Sequence, residues 1–571
     1  MSGDLNFDDL RSKEKSLIRT SHSGSDIRAH LVYPNTYWVG MSNLGFQAVY
    51  GILAGQKSVV VERGFLPDNY SDEGAFSKPL RSFESGKLLN DCDLLGFSLS
   101  FETDYPHVLK ILRNLGALEP DVEKRTERAG SHFGFPLLIA GGTAVTLNPE
   151  PVADLFDAIV IGEAEELLTE LVATLREARS HGRTRTELLE LLSKIEGIYV
   201  PSLYKVSYNS DDTIAKFDYS RAPRAKRRIV KDLSKYPTYS KILTSETEFS
   251  SMFLTETGRG CEVGCRFCVA GYIYRPVRKR SEESIQASVD IGLKNSKAIG
   301  FVGAAVSSHR SIAKLASRVA ETGARASLSS LMSQKVSKEL AMSLSESEYK
   351  TVALAPEAGS ERLRFAVGKR VPNQQIIEAA ANLAEAGIRG FKLYFIVGLP
   401  TETDADIEGI ATLAKEVRDR VVEVSRVHGK HVWLALSVNP FVPKANTPFQ
   451  WEPMAPRKLI EKKIETVRKL LKGVQNIEFR FEPPKESYFQ ALLSRGDRRV
   501  LKLLMHIETA GLDWKSLVKN TDKRILSDVP QVDFYVTRRF AYDECVPWEI
   551  VDSCISKELL EREARRAYEP G

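Results

Sequence analysis

The sequence predicts an α/β protein with an N-terminal Rossmann-like domain, a full or partial (β/α) TIM-type barrel and a mixed C-terminal extension. Short apolar runs alternate with helical patterns from about residue 30 to 175, as in a doubly wound parallel sheet. A longer strand–helix rhythm repeats from about 253 to 445, as in the βα units of a barrel. The predicted division is a polar lead-in at 1–24, the first domain at 25–200, a basic linker at 201–250, the barrel at 251–455 and the extension at 456–571.

The composition is that of a globular protein. Of the 571 residues 43% are hydrophobic and 27% are charged, which excludes a disordered, collagen-like or disulfide-rich chain. The net charge of +5 is small for this length, so nucleic acid is not required as a partner. The opening segment MSGDLNFDDLRSKEKS has no apolar core, and no apolar run approaches the roughly 18 residues of a spanning helix. We therefore expect a cytoplasmic protein with no membrane partner.

Glycines follow several strands of the first predicted domain. Buried strands are predicted in DCDLLGFSLS, PLLIAGG and FDAIVIGEAEE, and Gly141, Gly142 and Gly162 stand where two of these strands end. In open α/β sheets ligands bind at the carboxyl ends of strands, where glycine allows a close approach of the backbone. A turn explains any one of these glycines, whereas the set together indicates a ligand site.

A basic run without acidic residues lies in the linker, from Arg221 to Lys231. It lacks the interleaved aromatic residues of a single-stranded nucleic-acid site, so we interpret it as a solvated linker.

The second domain contains five further strand-like segments, and the segments between most of them have helical patterns. The strands are predicted in AIGFVGAA, ARASLSSL, KTVALAPEAG, GFKLYFIVGLP and VWLALSVNPFVP. A stripe of apolar residues at helical spacing follows over 456–471 and predicts a helix packed on the barrel.

Three of the six cysteines lie within eight residues, in TGRGCEVGCRFCVAGYIYRP. Cys261, Cys265 and Cys268 have the spacing C-x3-C-x2-C, and three thiolates on one loop can hold three irons of a [4Fe–4S] cube and leave the fourth iron open. A structural zinc site needs four ligands, and the nearest downstream histidine is His309. The spacing therefore favours an iron–sulfur cluster, whose thiols we expect to converge.

This motif, with Phe267 just before its third cysteine, resembles the signature of the radical S-adenosylmethionine (SAM) enzymes. Other segments resemble one uncharacterised branch of that superfamily, in which a cobalamin-binding-type domain precedes the radical SAM barrel. They are YPNTYWVGMSNLGFQAVYGIL, AGGTAVTLNPEPVADLFDAIVIGEAEE, APEAGSERLR, KLYFIVGLPTET and SVNPFVPKANTPFQW. The likeness covers about residues 30–560.

The resemblance implies that the three cysteines are the catalytic, metal-ligating residues. SAM would chelate the open iron. One electron from a donor such as flavodoxin or ferredoxin would reduce the cluster, and SAM would then be cleaved to methionine and a 5′-deoxyadenosyl radical. Phe267 would lie against the adenine, and GFVGAA stands where the family has its GGE stretch, although alanines replace the acidic position. The further SAM contacts implied are Gly300, Gly303 and Ala304 at the amino group and Ser327 and Ser329 at the ribose. Glu357 would bond the ribose or the substrate, or alternatively cap a helix or form a salt bridge.

The resemblance also implies cobalamin as a cofactor of the first domain. GGTA at 141–144 and GEAEE at 162–166 resemble loops that hold its nucleotide tail, so Gly141, Gly142, Thr143, Gly162 and Glu163 are the implied contacts. Domains that supply a lower axial histidine carry D-x-H-x-x-G, and the nearest match here is Asp104-Tyr-Pro-His107, one residue too long. Two alternatives follow: cobalamin binds without that histidine, or the domain has lost the cofactor.

The favoured function is a radical SAM enzyme that methylates or rearranges an unactivated carbon of an unidentified substrate. Two alternatives remain. A methylthiotransferase-like RNA or protein modifier would use three more cysteines in its N-terminal domain, where only Cys92 is present. A non-catalytic iron–sulfur or cobalamin-binding module would not need a barrel with a SAM site. Cys92 is interpreted as a core residue, and Cys545 and Cys554 have no assigned role.

Overall fold

The computed structural model describes residues 7–19, 26–71, 74–118, 136–346, 351–426, 429 and 431–569. Of the predicted polar lead-in, residues 1–6 and 20–24 lie outside these ranges. Within it, Phe7–Ser12 forms a helix and Lys15–Ser16 pairs with Ile242–Leu243 in the linker. Across the described ranges, no helix combines the length and the apolar character that a membrane crossing requires.

The first domain is built on a six-stranded sheet. Its strands are β1 Ile27–Thr36, β2 Val59–Leu66, β3 Leu94–Ser98, β4 Leu137–Gly141, β5 Ala158–Val160 and β6 Ile198–Tyr199. The spatial order is β2-β1-β3-β4-β5-β6; the first five strands are mutually parallel and β6 is antiparallel to β5. Parallel strands of this kind are buried on both faces, as the nearly continuous burial of β1 and β4 shows.

The strand order refines the sequence prediction. The 2-1-3-4-5 order is a doubly wound order that differs from the 3-2-1 order of the dinucleotide-binding Rossmann sheet. Strand order depends on the side to which the chain crosses over after each strand, and the apolar patterns of the strands do not record that choice. In this order the chain switches direction between β1 and β3, so the crevice at their carboxyl ends is the expected ligand position.

Among the described residues, the longer helices of this domain are α1 Leu44–Ala54, α2 Tyr105–Asn114, α3 Ala164–Ser180 and α4 Arg185–Leu192. The side chain of Asn43 caps α1 by accepting the amide N–H of Phe46, and Thr184 and Glu187 form a reciprocal capping box at α4. These caps satisfy N-terminal amides that have no partner within the helix.

Seven described strands of the second domain form two parallel sheets, and within each sheet the strands follow one another in chain order. They are β7 Phe253–Glu256, β8 Ala298–Val302, β9 Arg325–Leu328, β10 Thr351–Glu357, β11 Gly390–Val397, β12 Trp433–Pro440 and β13 Ile477–Phe481. They form a sheet of three strands, β7 to β9, and a sheet of four, β10 to β13. Within the described residues no ladder joins β9 to β10. The last strand lies past residue 455, where the sequence analysis ended the barrel.

The strands of the second domain alternate with helices, as the sequence predicts for βα units. The helices are α5 Glu282–Leu293, α6 Ile312–Glu321, α7 Lys338–Glu346, α8 Glu361–Ala366, α9 Asn373–Glu385, α10 Asp404–Arg426 and α11 Arg457–Leu470. One hydrophobic core runs from Phe253 through Val352 to Val467 and so connects both sheets. The mixed α/β prediction is confirmed for both domains.

The C-terminal segment returns to both domains. Its helices are α12 Pro484–Arg495, α13 Val500–Thr509, the short Val532–Val536, and α14 Lys557–Arg565. Buried residues of α12 and α13 belong to the same core as the first sheet. Leu560 and Ala564 of α14 instead pack with Tyr272 and Ile273, which follow the cysteine motif. The C-terminal extension therefore contacts both the first domain and the segment that follows the cysteine motif.

The basic segment 221–231 is less solvated than predicted. Arg227 is buried and donates to the carbonyl oxygens of Ser553 and Arg275. Arg228 forms ion pairs with Glu166 and Glu170 on α3. The prediction of a solvated linker is wrong at these arginines because their partners lie on distant parts of the chain. The local sequence shows the basic residues but not the groups that pair with them.

Candidate active site

The three cysteines lie on a loop whose two ends are held together. Gly258–Arg259 follows β7 and pairs antiparallel with Arg278–Lys279, which closes the base of the loop. Gly260 has φ +87°, and a Cβ atom there would lie 2.8 Å from the carbonyl oxygen of Tyr274. Glycine is therefore required at the position directly before Cys261.

The cysteine thiols are neighbours in a mostly buried environment. Cys265 is buried, whereas Cys261 and Cys268 are half-buried. Burial raises the pKa of Cys265 to about 12; the charge of Lys369 opposes this rise, and the negative charges of Cys268 and Cys261 add to it. Metal ligation requires deprotonated thiols. The bound metal cations, and not the protein alone, must therefore compensate the negative charges of the three thiolates.

The donor set fits a cluster better than a single ion. Across the described ranges, no three His, Cys, Asp or Glu side chains are arranged to hold one metal ion. Because each thiolate of a [4Fe–4S] cube binds a different iron, the three lie farther apart than the ligands of one ion. The three thiols lie on one loop, and the negative charges of Cys261 and Cys268 act on Cys265. Their ligation of a cluster stays a prediction.

Arg266, between the second and third cysteines, anchors the loop to three parts of the fold. Its side chain is buried; Nε donates to the carbonyl oxygen of Glu563 at 2.6 Å and Nη1 donates to that of Ala366, also at 2.6 Å. Its backbone N–H donates to Val367 and its carbonyl accepts from Phe449. The position of Cys265 and Cys268 thus depends on α14, on the end of α8 and on the loop after β12.

Glu357 ends β10 beside the cysteines and is ion-paired. Its Oε1 lies 2.9 Å from Nζ of Lys369, and both side chains are more than four-fifths buried. Both charges act on Cys265 and on Cys268. The salt-bridge alternative for Glu357 is therefore the one that the structure shows, and Lys369 is a neighbour that the sequence analysis missed.

The residues implied as SAM contacts fall into two groups. Gly303 and Ser329 lie together: the amide of Gly303 and the hydroxyl of Ser329 are 3.2 Å apart, and Ala304 follows directly. Gly300 and Ser327 pair with each other inside β8 and β9. A Cβ at Gly300 would meet side-chain atoms of Leu254 and Met252 at 2.6 and 2.7 Å.

Phe267 packs outside both groups. It contacts a small apolar cluster that includes Leu363, Val367 and Phe449. The structure therefore joins Gly303, Ala304 and Ser329 at one place, and Gly300 and Ser327 precede them on the same two strands. The contact of each of these residues with SAM stays a prediction.

A cavity of about 640 Å³ lies between the two domains. On the first domain its wall includes Gly141, Gly142, Thr143, Gly162 and Glu163. On the second domain its wall includes Gly258, Arg259, Gly260, Gly303 and Ala304. The carboxyl edge of the first sheet therefore faces the segment that leads into Cys261.

The cavity extends from this junction along the face of the first sheet. Leu31, Gly96 and Ile139 form its floor, and residues of α1 and α3 form its sides, among them Ile52 and Leu168. A Cβ at Gly96 would meet only Leu31 Cδ1 at 3.5 Å and the carbonyl oxygen of His30 at 3.9 Å, so glycine leaves this strand position open. This part of the site is an apolar cleft between two helices and a sheet.

The carboxylate of Glu163 forms hydrogen bonds at the junction between the two domains. Its carboxylate accepts two hydrogen bonds from Arg278, at 2.7 and 2.8 Å, and one from the amide of Val230 at 2.6 Å. Arg259 approaches it at 3.4 Å. The residue lines the cavity, yet its polar atoms connect the first domain to the base of the cysteine loop.

Glu165, two residues later, is a functional candidate that the sequence analysis did not single out. It pairs with Arg259, while its Oε2 is buried and has no hydrogen-bond partner. Arg259 also binds Glu256 at 2.9 Å. The only signal in the sequence was the repetition of acidic residues in GEAEE.

His107 faces away from the shared cavity. Its Nδ1 lies 2.9 Å from the carbonyl oxygen of Pro34, and its ring contacts Tyr70 at a centroid distance of 4.7 Å. It lines a separate groove on the outside of the first domain, and none of the histidines that the structure describes lines the interdomain cavity. A ligand in the cavity thus receives no imidazole from Asp104-Tyr-Pro-His107.

Two family models match the chain. The model for the N-terminal part of radical SAM proteins matches residues 45–201, and the radical SAM superfamily model matches residues 255–414. The uncharacterized protein MJ0966 of Methanocaldococcus jannaschii is 29% identical over 476 residues, which are 83% of this chain and 90% of that protein. The uncharacterized methyltransferase PH0819 of Pyrococcus horikoshii is 24% identical over 291 residues, 49% of this chain and 58% of that protein.

The chain is similar to a solved structure over most of its length. That structure is TsrM from Kitasatospora setae, a radical SAM methyltransferase solved with cobalamin and a [4Fe–4S] cluster, and it aligns with a TM-score of 0.50 and 12% identity. The alignment covers 85% of this chain and 99% of TsrM, and at this identity it shows a common fold. The two family models, one on each sheet-containing domain, show that the chain is a member of the radical SAM superfamily.

Proposed function

We propose that the protein is a radical SAM enzyme that uses a [4Fe–4S] cluster and cobalamin to transfer a methyl group to, or rearrange, an unactivated carbon. The observation that carries this proposal is the cavity shared by the carboxyl edge of the first sheet and the segment that enters the cysteine motif. A methyl donor must come within about 3–3.5 Å of the acceptor carbon, so the two cofactors must face one space.

The residues of the second domain suit the cluster and SAM. Cys261, Cys265 and Cys268 would ligate three irons, and the cluster, when bound, supplies the electron that cleaves the sulfonium of SAM to methionine and a 5′-deoxyadenosyl radical. The chain holds these thiols in place through Arg266 and the strand pair at the loop base. Gly303 and Ala304, on the cavity wall, would receive the amino-acid end of SAM.

The cleft of the first domain suits cobalamin. Gly141, Gly142 and Gly162 would let the backbone at the strand ends approach the nucleotide tail, and the apolar cleft lined by Gly96, α1 and α3 would hold the rest of the ligand. Because no described histidine lines this cavity, we infer that cobalamin would bind without an axial imidazole from the protein. Bound cobalamin would supply the methyl group for transfer.

The arrangement of the second domain supports a partial barrel around SAM. Seven parallel strands follow one another in chain order, and one hydrophobic core connects their two sheets. In such barrels the chemistry occurs at the carboxyl ends of the strands, where Glu357 and Gly303 lie. We infer a cytoplasmic enzyme reduced by a flavodoxin or ferredoxin.

The methylthiotransferase alternative receives no support from the first domain. Such an enzyme would need thiols at this sheet, and the single cysteine there, Cys92, is not in the cavity. The first domain has no second cysteine with which Cys92 could share a cluster.

The decisive experiment is anaerobic reconstitution with iron, sulfide and cobalamin, followed by product analysis with SAM and a strong one-electron reductant. We expect one cluster and one cobalamin per chain. With its substrate, a methylating enzyme forms 5′-deoxyadenosine and S-adenosylhomocysteine in equal amounts. 5′-Deoxyadenosine alone, with no cobalamin uptake, would contradict the cobalamin part of the proposal and leave a hydrogen-abstracting radical SAM enzyme.

The control variants follow from the cysteine positions. Replacing Cys261, Cys265 and Cys268 together by alanine should abolish iron binding and the visible absorbance. Cys554→Ala, at the exposed cysteine, should change neither. A triple variant that keeps its iron would contradict the proposed ligands.

A further inference from the structure

A short segment after α8 packs directly against the cysteine loop. The backbone amide of Arg266 donates to the carbonyl oxygen of Val367 at 2.8 Å. Gly368 has φ +80°, and a Cβ there would lie 3.3 Å from the carbonyl oxygen of Gly264. Backbone contacts at Gly264 and Arg266, on both sides of Cys265, therefore fix the position of the next residue, Lys369.

Lys369 is held in a defined position by Glu357. Its Nζ lies 2.9 Å from Glu357 Oε1, and its side chain is 19% exposed. Burial alone would lower the pKa of Lys369, but Glu357 and the neighbouring cysteines raise it, so it is a cation. Glu357 is fixed at the end of β10 with φ +69°, next to the catalytic face of the second domain.

The other cations near the motif are engaged elsewhere. The guanidinium of Arg266 points to Glu563 and to the end of α8. Arg275 donates from Nε to the carbonyl oxygen of Gly271 and lies over the ring of Tyr272. Lys279 binds Glu262 and Ser308 at the base of the loop. Among these groups Lys369 is the cation whose charge acts on both Cys265 and Cys268.

We propose that the Glu357–Lys369 ion pair sets the reduction potential of the cluster held by Cys261, Cys265 and Cys268. The inference rests on the proposed function, because it requires that cluster. Reduction transfers one electron from an external one-electron donor to the oxidised cluster; the donor loses that electron and the cluster gains one negative charge. A fixed cation beside the thiolates stabilises the added charge, and a carboxylate beside them opposes it.

The two partners therefore act with opposite signs. Lys369 favours the reduced cluster and Glu357 disfavours it, and their pairing balances the local charge. A purely structural salt bridge behaves differently, since loss of either partner would disturb the loop in the same way. The sign of the shift separates the two interpretations.

The experiment is redox potentiometry of the reconstituted cluster, followed by the electron paramagnetic resonance signal of its reduced form. Lys369→Gln should shift the midpoint potential to a more negative value, and Glu357→Gln should shift it to a more positive value. The double variant should lie between the two, and Lys369→Arg should keep the wild-type potential because it keeps the charge. Arg370→Gln, which removes the adjacent exposed cation, is the matched control and should leave the potential unchanged.

Iron content and circular dichroism, measured on each variant, separate folding defects from tuning. If Lys369→Gln does not hold a cluster, the midpoint potentials of Glu357→Gln and Lys369→Arg are compared with that of the wild type. A more positive potential for Glu357→Gln and an unchanged one for Lys369→Arg still decide the sign of the effect. Shifts in the same direction for both glutamine variants, or no shift in either, would overturn the inference alone. Wild-type protein that binds no cluster overturns the proposed function and this inference with it.

Discussion

Thr143, at the carboxyl edge of the first sheet, forms a hydrogen bond of 2.9 Å with the hydroxyl of Tyr274 in the cysteine loop. The two residues are 131 positions apart in the chain and line the same cavity. The bond fixes one wall of the cavity to the other at the point where the site is assembled.

A double-mutant cycle on this pair should detect the coupling. Thr143→Val and Tyr274→Phe each remove the bond, and we expect a coupling energy of about 0.5–1.5 kcal/mol, typical of one net hydrogen bond. The measurement is the shift of the urea transition for both single variants and the double variant. Additive shifts would mean that the bond does not hold the two domains together.

Substitution at Gly96 should block the cleft of the first domain without unfolding it. Gly96→Val places a Cβ atom where only Leu31 Cδ1 and the carbonyl oxygen of His30 lie within ordinary contact distance, and valine suits a strand. We expect cobalamin uptake to fall about tenfold, since the added side chain fills part of the cavity floor, and iron content to be unchanged. Cobalamin uptake is measured spectrophotometrically after desalting.

Gly300→Ala is the matched comparison. Its new Cβ would meet Leu254 and Met252 at less than 3 Å, so this variant should be destabilised by about 1–3 kcal/mol while its folded fraction still binds cobalamin. Full uptake by Gly96→Val would place cobalamin outside this cleft.

Much of the secondary structure could be predicted from sequence because the signals are local. Apolar runs bounded by glycine predicted β3, β4 and β5, and a helical stripe predicted α11. The cysteine spacing is likewise a local signal, and it lies on one loop as expected. Gly141, Gly142 and Gly162 line the cavity because strand ends of a parallel sheet share one edge.

The remaining features arise from contacts between distant residues. Glu163 was expected to contact a ligand, but its partner Arg278 lies 115 positions away and occupies its carboxylate. The partner of Arg266 lies 297 positions away on α14. Neither pairing has a periodic or local trace in the sequence, so the return of the C-terminal segment to the cysteine loop was not predicted.

Loss of Arg266 should loosen the cysteine loop. Arg266→Ala leaves the carbonyl oxygens of Ala366 and Glu563 without their buried donor, which we expect to cost about 1–3 kcal/mol each. Iron should then be lost faster to a chelator under anaerobic conditions. Glu563→Gln, which keeps the backbone acceptor, should have a smaller effect in the same direction.

The control for this prediction is on the same helix. Glu561 pairs with Arg565 on the exposed side of α14, so Glu561→Gln should change stability by less than about 0.5 kcal/mol and leave iron retention unchanged. If Arg266→Ala retains iron as well as this control does, the anchoring role assigned to Arg266 is wrong.

The domain junction should weaken in acid through Glu163. Burial disfavours its charged form, but the hydrogen bonds from Arg278 and the charge of Arg259 outweigh burial and hold the pKa of Glu163 below its ordinary value of 4.5. Because the folded-state pKa is the lower one, the stabilisation is present above pH 4.5 and is lost as the pH falls through the lowered pKa. Glu163→Gln should therefore lower the urea midpoint at pH 7 and flatten its decline below pH 4.5.

Glu166→Gln, at a carboxylate that is 37% exposed and pairs with Arg228, should follow the wild-type decline closely. Equal declines in Glu163→Gln and wild type would show that this carboxylate does not couple the junction to pH.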